Sequence, residues 1–157
     1  MAKKIGRFVT PLLMWIIVIV GIILLLNYVS QAKLFNPGVF GSIIFIMTLI
    51  YWLYFFISSI IVHRKAALSV SQIDKIIKSG PYSNVRHPIY SADIVLALGV
   101  FFAIPRLDIL LSIIWLFIIL ISWMFLEENF LIKKFGKEYI DYKRKVPMFF
   151  PGLKKHV

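Results

Sequence analysis

Four long apolar runs constrain the fold of this 157-residue chain more than any other feature of its sequence. An α-helix needs about 20 mostly apolar residues to cross the hydrocarbon core of a bilayer, and a spanning segment must satisfy its own backbone hydrogen bonds. The sequence therefore predicts one all-α domain over residues 1–157, a polytopic membrane helical bundle with four transmembrane helices. The predicted spans are residues 8–29, 41–62, 88–104 and 107–126.

Composition agrees with a membrane protein and narrows its ligands. Hydrophobic residues make up 61% of the chain, and the formal net charge is +11. The cations lie between the apolar runs, so their expected partners are anionic membrane lipids and not nucleic acid. The chain has no cysteine, and its histidines at positions 63, 87 and 156 lack the spacing of metal ligands on a helix. We expect neither a disulfide nor a metal site.

The distribution of the 18 Lys and Arg residues predicts the orientation of the bundle. Only Lys33 and Arg106 lie in the loops that join the first span to the second and the third to the fourth. Because positively charged loops stay on the cytoplasmic side, we expect both termini and the central loop to be cytoplasmic. The connection between the last two spans is so short that we expect them to form an antiparallel helical hairpin.

Two shorter elements are predicted outside the spans. Residues 127–135 should extend the fourth helix into the cytosol, where Gly136 ends it and residues 137–145 form a short helical region. In the central loop, the Ser71-Gln-Ile-Asp74 stretch has the spacing of a capping box. The spacing allows a short helix with its isoleucines on one face, but the stretch taken alone favours a plain amphipathic connector.

Two polar motifs carry the candidate chemistry. One is the turn-rich stretch GPYSNVRHPIY at residues 80–90, and the other is the pair Glu127-Glu128. The predicted hairpin brings Arg86, His87 and Tyr90 to the depth of this pair, next to a helix N-terminus that favours anions. Together they offer an anion site, carboxylates for a cation and aromatic rings. S-adenosyl-L-methionine has matching groups, although a zwitterionic lipid headgroup would also fit.

Three blocks of the sequence resemble one known family. They are residues 80–90, EENFL at residues 127–131, and FGKEYIDY at residues 135–142 followed by Val146-Pro147. In this order they resemble the isoprenylcysteine carboxyl methyltransferase family and the related phospholipid methyltransferases. The resemblance implies a membrane enzyme that transfers a methyl group from S-adenosyl-L-methionine to a lipophilic acceptor. It places the cofactor region at about residues 74–90 and 127–151, with the active site on the cytosolic side.

The resemblance also implies roles for single residues. It places the adenosine part of the cofactor along Asp74, Lys75, Ile76, Ile77 and Tyr82, and the methionine part against His87, Pro88, Ile89 and Tyr90. Glu127, together with Glu128, would hold the amino end. An amine or phenol acceptor needs a general base, which Glu127, Glu128 or His87 could provide. The expected catalytic residues are thus Glu127 and Glu128, with Arg86 in a positioning role.

One departure from the family pattern affects the choice of substrate. Members specific for prenylcysteine carry an arginine one helical turn before the glutamate pair, where it meets the substrate carboxylate, and this chain has Trp123 there. The resemblance therefore argues against a prenylated cysteine. A lipid amine, a small lipophilic phenol or thiol, or another apolar acceptor remains open.

Two other functions fit parts of the sequence. A membrane sterol-type reductase using NADPH also has an Arg-His-Pro-x-Tyr block, often followed by an acid where Asp93 stands. A non-enzymatic membrane protein would leave the turn-rich block without a role, and its arginine would be a simple lipid anchor. Asp93 itself is expected either to complete the cofactor site or to bond Ser91, Asn84 or Arg86.

Overall fold

The computed structural model describes residues 10–63 and 73–149, which form α-helices joined by short loops. Within these ranges there is no strand, in agreement with the predicted all-α class. A 3-10 helix at Gly80–Ser83 precedes the third α-helix. The five α-helices are α1 (Pro11–Tyr28), α2 (Gly38–Val62), α3 (Pro88–Ala103), α4 (Leu107–Phe135) and α5 (Lys137–Lys145).

Three of the described helices, α1, α2 and α4, are long and apolar enough to cross a membrane, so the chain is an integral membrane protein. Helix α3 is apolar but has only 16 residues, a length of about 24 Å. Helix α4 has 29 residues, about 43 Å, so its last turns extend beyond a hydrocarbon core of about 30 Å. This continuation agrees with the predicted extension over residues 127–135.

The helices pack in two pairs, α1 on α4 and α2 on α3, and α4 also contacts α3. Between α1 and α4, Met14 and Val18 pack with Leu116, Leu120 and Met124, all of which are buried. The α2–α3 seam instead uses small residues, which let two backbones approach closely. The outer faces of α1 and α2 are apolar and exposed, as expected for helices that face lipid.

The two loops far from the polar motifs are joined to each other by backbone hydrogen bonds. Lys33 and Arg106 form an isolated antiparallel bridge. The N–H of Leu34 donates to the carbonyl of Pro105 at 2.8 Å, and the N–H of Leu107 donates to the carbonyl of Ala32 at 3.0 Å. The loops that carry the two isolated cations therefore lie at the same end of the bundle.

The segment near residue 74 is a connector, as favoured, and not the alternative short helix in the part that is described. Residues 73–79 are not helical, and Ser71 lies outside the described residues. The reason is that the isoleucines serve different clusters: Ile73 packs against the α1–α4 core, whereas Ile76 packs against Tyr139 and Tyr142 of α5. Extended chain can reach both clusters, whereas a single helix face could not.

The junction of α4 and α5 depends on glycine. Gly136 has φ +56° and ψ −128°, a backbone conformation that only glycine adopts without strain. Its N–H still donates to the carbonyl of Ile132 at 2.8 Å and so ends α4 in regular geometry. The predicted cap at Gly136 is confirmed, and the sharp turn directs α5 back across the end of the bundle.

Candidate active site

The first polar motif is held in place by the chain that follows α5. The N–H of Arg86 donates to the carbonyl of Pro147 at 2.9 Å, and the N–H of His87 donates to that of Met148 at 3.4 Å. Pro88 begins α3, where its missing N–H leaves no intrahelical bond unmade. The turn-rich sequence thus ends in a fixed helix start, with Arg86 and His87 beside α4.

Glu127 is oriented by two residues of the first motif. The Tyr90 hydroxyl donates to its Oε1 at 2.8 Å, and Nδ1 of His87 lies 3.8 Å from its Oε2. The rings of His87 and Tyr90 stack at 5.7 Å between centroids with an interplanar angle of 15°. The Glu127 side chain is therefore held at a defined place on the wall of a cavity.

Glu128 has a different environment although it is the next residue. Its carboxylate accepts from Nε of Arg86 at 2.7 Å, lies 3.3 Å from Nε2 of His87, and pairs with Nζ of Lys143 at 2.6 Å. The Glu128 side chain is 1% exposed and that of Arg86 is 8% exposed. Arg86 also donates through Nη1 to the carbonyls of Lys143 and Val146. Glu128 and Arg86 form a buried clamp that joins α3, α4 and α5.

A cavity of about 430 Å³ lies against Glu127 and takes in most of the predicted cofactor residues. Nine of the ten predicted cofactor residues line the cavity, and Asp74 does not. Of the residues predicted to be catalytic, Glu128 does not line it. Their roles in binding stay predictions. The nine are Lys75, Ile76, Ile77, Tyr82, His87, Pro88, Ile89, Tyr90 and Glu127.

The sequence analysis missed the apolar part of the cavity wall. It is made by α1 through Pro11, Leu12 and Trp15 and by α2 through Phe56 and Ile60. No sequence signal marked these residues, because apolar side chains at the end of a span look the same whether they face lipid or a ligand. The cavity thus has a polar side next to Glu127 and an apolar side between two membrane helices.

Two tyrosines of α5 complete the polar side, and burial governs their chemistry. Tyr139 and Tyr142 line the cavity, and the Tyr142 hydroxyl donates to the carbonyl of Tyr82 at 2.6 Å. Burial raises the pKa of each phenol well above its ordinary value, and burial likewise raises the pKa of Tyr82. All three remain protonated hydrogen-bond donors at neutral pH. The sequence analysis counted the aromatic rings of this region among the groups that match the cofactor, without assigning these two tyrosines individual contacts.

Trp123 and Asp93, which the sequence analysis connected with the substrate and the cofactor site, both lie away from the cavity wall. Trp123 is buried in the core with Met14 and Val18 and does not line the cavity. Asp93 does not line it either, and its Oδ1 accepts from Nε1 of Trp52 on α2 at 2.7 Å. The carboxylate therefore points to a partner that the sequence analysis did not consider, and not to the residues proposed for it.

Comparison with known protein families agrees with this geometry. A family model described as phospholipid methyltransferase matches residues 38–138, well over half of the chain. The chain belongs to the phospholipid methyltransferase family. The match runs from α2 through α4 into α5, so it includes both polar motifs and the apolar wall on α2. No curated protein matches the chain.

Family membership confirms the resemblance drawn from the three sequence blocks. It makes a membrane methyltransferase the general class of this protein. The described residues contain no cluster of three or more His, Cys, Asp or Glu side chains that could hold a metal ion.

Proposed function

We propose that this phospholipid methyltransferase family member transfers a methyl group from S-adenosyl-L-methionine to a lipophilic acceptor at the Glu127 cavity. The observation that carries the proposal is that one cavity has a polar side formed by the predicted cofactor residues and an apolar side formed by α1 and α2. A methyl donor that is soluble in water and an acceptor that is soluble in lipid can meet only in such a place.

The residues of the polar side fit this cofactor. Ile76, Ile77 and Tyr82 offer an apolar and aromatic surface for an adenine, and Glu127 offers a carboxylate for the ammonium group. His87 and the start of α3 lie where a carboxylate would be favoured. Arg86 lines the cavity, but its guanidinium is bound to Glu128 and to two backbone carbonyls, so we assign it and Glu128 the role of fixing the site.

Bound there, S-adenosylmethionine would supply an electrophilic methyl group to an in-line nucleophile. The protein's contribution is chiefly alignment, which is worth at most about 7–11 kcal/mol when two reactants are fully ordered. For an amine or phenol acceptor, Glu127 is the group placed to accept the proton, because its carboxylate faces the cavity and is held by Tyr90. A carboxylate acceptor would need no base.

The volume of the cavity limits which part of the acceptor can enter it. A pocket of about 430 Å³ is at the small end for ligand sites, so a cofactor leaves room for only the reactive end of a lipid. The tail would stay between α1 and α2 and in the bilayer. Position 123, where prenylcysteine-specific members carry an arginine, is here a neutral tryptophan packed in the core, which argues against a prenylcysteine carboxylate as acceptor.

The membrane arrangement follows the same proposal. We take α3 as a fourth, short span. The cavity then lies at the end of the bundle that the central loop and the C-terminal helix share, and the cation distribution predicts that this end is cytosolic. The bridge between the Lys33 and Arg106 loops supports this topology, since both loops must then lie on the opposite side. The cofactor would enter from the cytosol and the acceptor from the lipid.

Calorimetric titration of the detergent-purified protein tests the cofactor assignment. We expect S-adenosylhomocysteine to bind with micromolar affinity, and His87→Ala and Glu127→Ala to abolish this binding. Asp141→Ala is the matched control, because it removes a carboxylate from α5 that does not line the cavity. It should bind as the wild type does.

The same titration with NADPH examines the reductase alternative. Binding of NADPH without binding of S-adenosylhomocysteine would move the chain to a reductase function. Binding of neither would favour a non-enzymatic membrane protein. The family match and the paired glutamates weigh against both outcomes.

A further inference from the structure

An acid lies inside the bundle without an evident catalytic position. Asp93, on α3 one helical turn past Tyr90, is 9% exposed. Its Oδ1 accepts the Trp52 indole hydrogen bond, and its Oδ2 is buried and makes no hydrogen bond with the described residues. Carboxyl groups within membrane spans are energetically unfavourable and are usually kept for a function.

Association of α2 with α3 does not require this acid. Further along the same seam, the position of a Cβ on Gly99 would lie only 1.8 Å from Oγ1 of Thr48, so the helices are already in close contact there. A Cβ on Gly41 would lie 2.4 Å from the carbonyl oxygen of Phe102. Small-residue packing of this kind holds membrane helices together without a buried charge.

A chain of contacts connects Asp93 to the cavity. The Trp52 ring stacks on that of Phe56, with 4.7 Å between centroids and an interplanar angle of 17°. Phe56 lies one helical turn nearer the cavity and forms part of its apolar side. The hydrogen bond fixes the indole, and the indole in turn supports the phenylalanine ring.

We propose that Asp93 is a positioning residue that, through Trp52 and Phe56, sets the apolar wall on which the tail of the acceptor packs. This inference rests on the proposed methyltransferase function and adds a determinant of acceptor fit. The predicted cofactor residues belong to the central loop, the start of α3 and Glu127, and none lies on α2. Loss of the Asp93 contact should therefore weaken acceptor binding and leave cofactor binding unchanged.

The test uses four variants of the full chain. Asp93→Leu and Trp52→Phe each break the hydrogen bond, whereas Asp93→Asn keeps an oxygen that can accept it. Thr48→Ala is the control, since it alters the same seam away from the cavity. Methyl transfer from radiolabelled S-adenosylmethionine is measured into a total polar-lipid extract, presented at increasing mole fraction in phosphatidylcholine vesicles. S-adenosylhomocysteine affinity is measured in parallel.

We expect Asp93→Leu and Trp52→Phe to raise the apparent KM for the lipid extract about fivefold to tenfold, the effect of losing one hydrogen bond. The double variant should be no worse than either single one. Asp93→Asn and Thr48→Ala should stay within about twofold of the wild type. The indole N–H resonance of Trp52, assigned from its loss in Trp52→Phe, should shift in Asp93→Leu and not in Asp93→Asn.

The possible failures can be told apart. If the wild type neither binds S-adenosylhomocysteine nor transfers label to any lipid, the proposed function is wrong and this inference falls with it. If it binds S-adenosylhomocysteine but labels no lipid, the acceptor has no lipid tail to pack on this wall, and only this inference is overturned. If the wild type is active and Asp93→Leu has an unchanged KM, only the role of Asp93 is overturned. Equal loss of acceptor and S-adenosylhomocysteine binding in Asp93→Leu would show a general structural role and would also overturn the inference.

Discussion

Glu127 and Glu128 are neighbours in the sequence, but the helix turns their side chains to different surroundings. Glu127 faces the cavity with Tyr90 and His87 as partners, and Glu128 is enclosed by Arg86, His87 and Lys143. A pair of adjacent carboxylates in the sequence suggests a shared role in ligand binding. In the structure Glu127 lines the cavity proposed to bind the ligand, whereas Glu128 belongs to the buried scaffold that joins α3, α4 and α5.

The scaffold role predicts a stability defect for Glu128→Ala. Removing one partner of a buried ion pair leaves the other charge uncompensated, which typically lowers the free energy of unfolding by about 3–5 kcal/mol. We expect a large drop in the midpoint of thermal unfolding in detergent. Glu138→Ala is the matched control, because its pair with Lys78 is exposed and its loss should change the midpoint little. Equal midpoints for the two variants would refute the clamp.

The ligand role predicts a binding defect for Tyr90→Phe. This variant keeps the ring that stacks on His87 but removes the hydroxyl that donates to Glu127. Hydrogen bonds to charged groups are worth about 1.5–3 kcal/mol, so we expect S-adenosylhomocysteine to bind at least about tenfold more weakly. Thermal stability should change far less than in Glu128→Ala. Unchanged affinity would mean that Tyr90 does not orient the carboxylate.

At the scale of elements, the helix ends were predictable where a local physical signal marks them. Pro88 starts α3 as a first-position proline, and Gly136 ends α4 with a positive φ. For residues 73–79 a connector was favoured, but its contacts were not predictable, because the isoleucine spacing also fits one helix face whereas Ile73 and Ile76 pack in separate clusters. Local spacing cannot reveal which distant surface an apolar side chain will meet.

The α2–α3 seam gives a test at this scale. We expect Gly99→Ala to destabilise the protein by about 1–3 kcal/mol, because the new methyl group would overlap the Thr48 side chain. Adding Thr48→Ala removes the hydroxyl in the way and should restore part of the unfolding midpoint in detergent. A Gly99→Ala protein as stable as the wild type would show that the helices can separate at no cost.

For the whole molecule, the sequence was sufficient to predict a helical membrane bundle and the family, since apolar length and the polar blocks are both local features. It was not sufficient to predict the pairing of the helices. Only the structure brings Trp15 of α1 and Phe56 of α2 to the same cavity. Spans that are apolar on every side contain no periodicity from which a partner could be chosen.

The orientation can be tested because the chain has no cysteine to interfere. Single variants Lys33→Cys and Lys137→Cys are expressed in cells and treated with a thiol reagent that does not cross membranes. We expect the reagent to label Lys33→Cys in intact cells and Lys137→Cys only after the membrane is opened. The reverse pattern would place the cavity on the outer side and contradict the proposed cofactor route.

The backbone bridge between the Lys33 and Arg106 loops has a consequence for how the protein sits in its membrane. Peptide groups that satisfy one another need fewer contacts with water, so this end can lie low in the headgroup region while the Lys33 side chain still reaches water. The low position of this end would fit α3, which is about 24 Å long, into a bilayer with a thicker hydrocarbon core. We therefore expect these two loops to offer antibodies, proteases and soluble partners far less surface than the opposite end of the bundle.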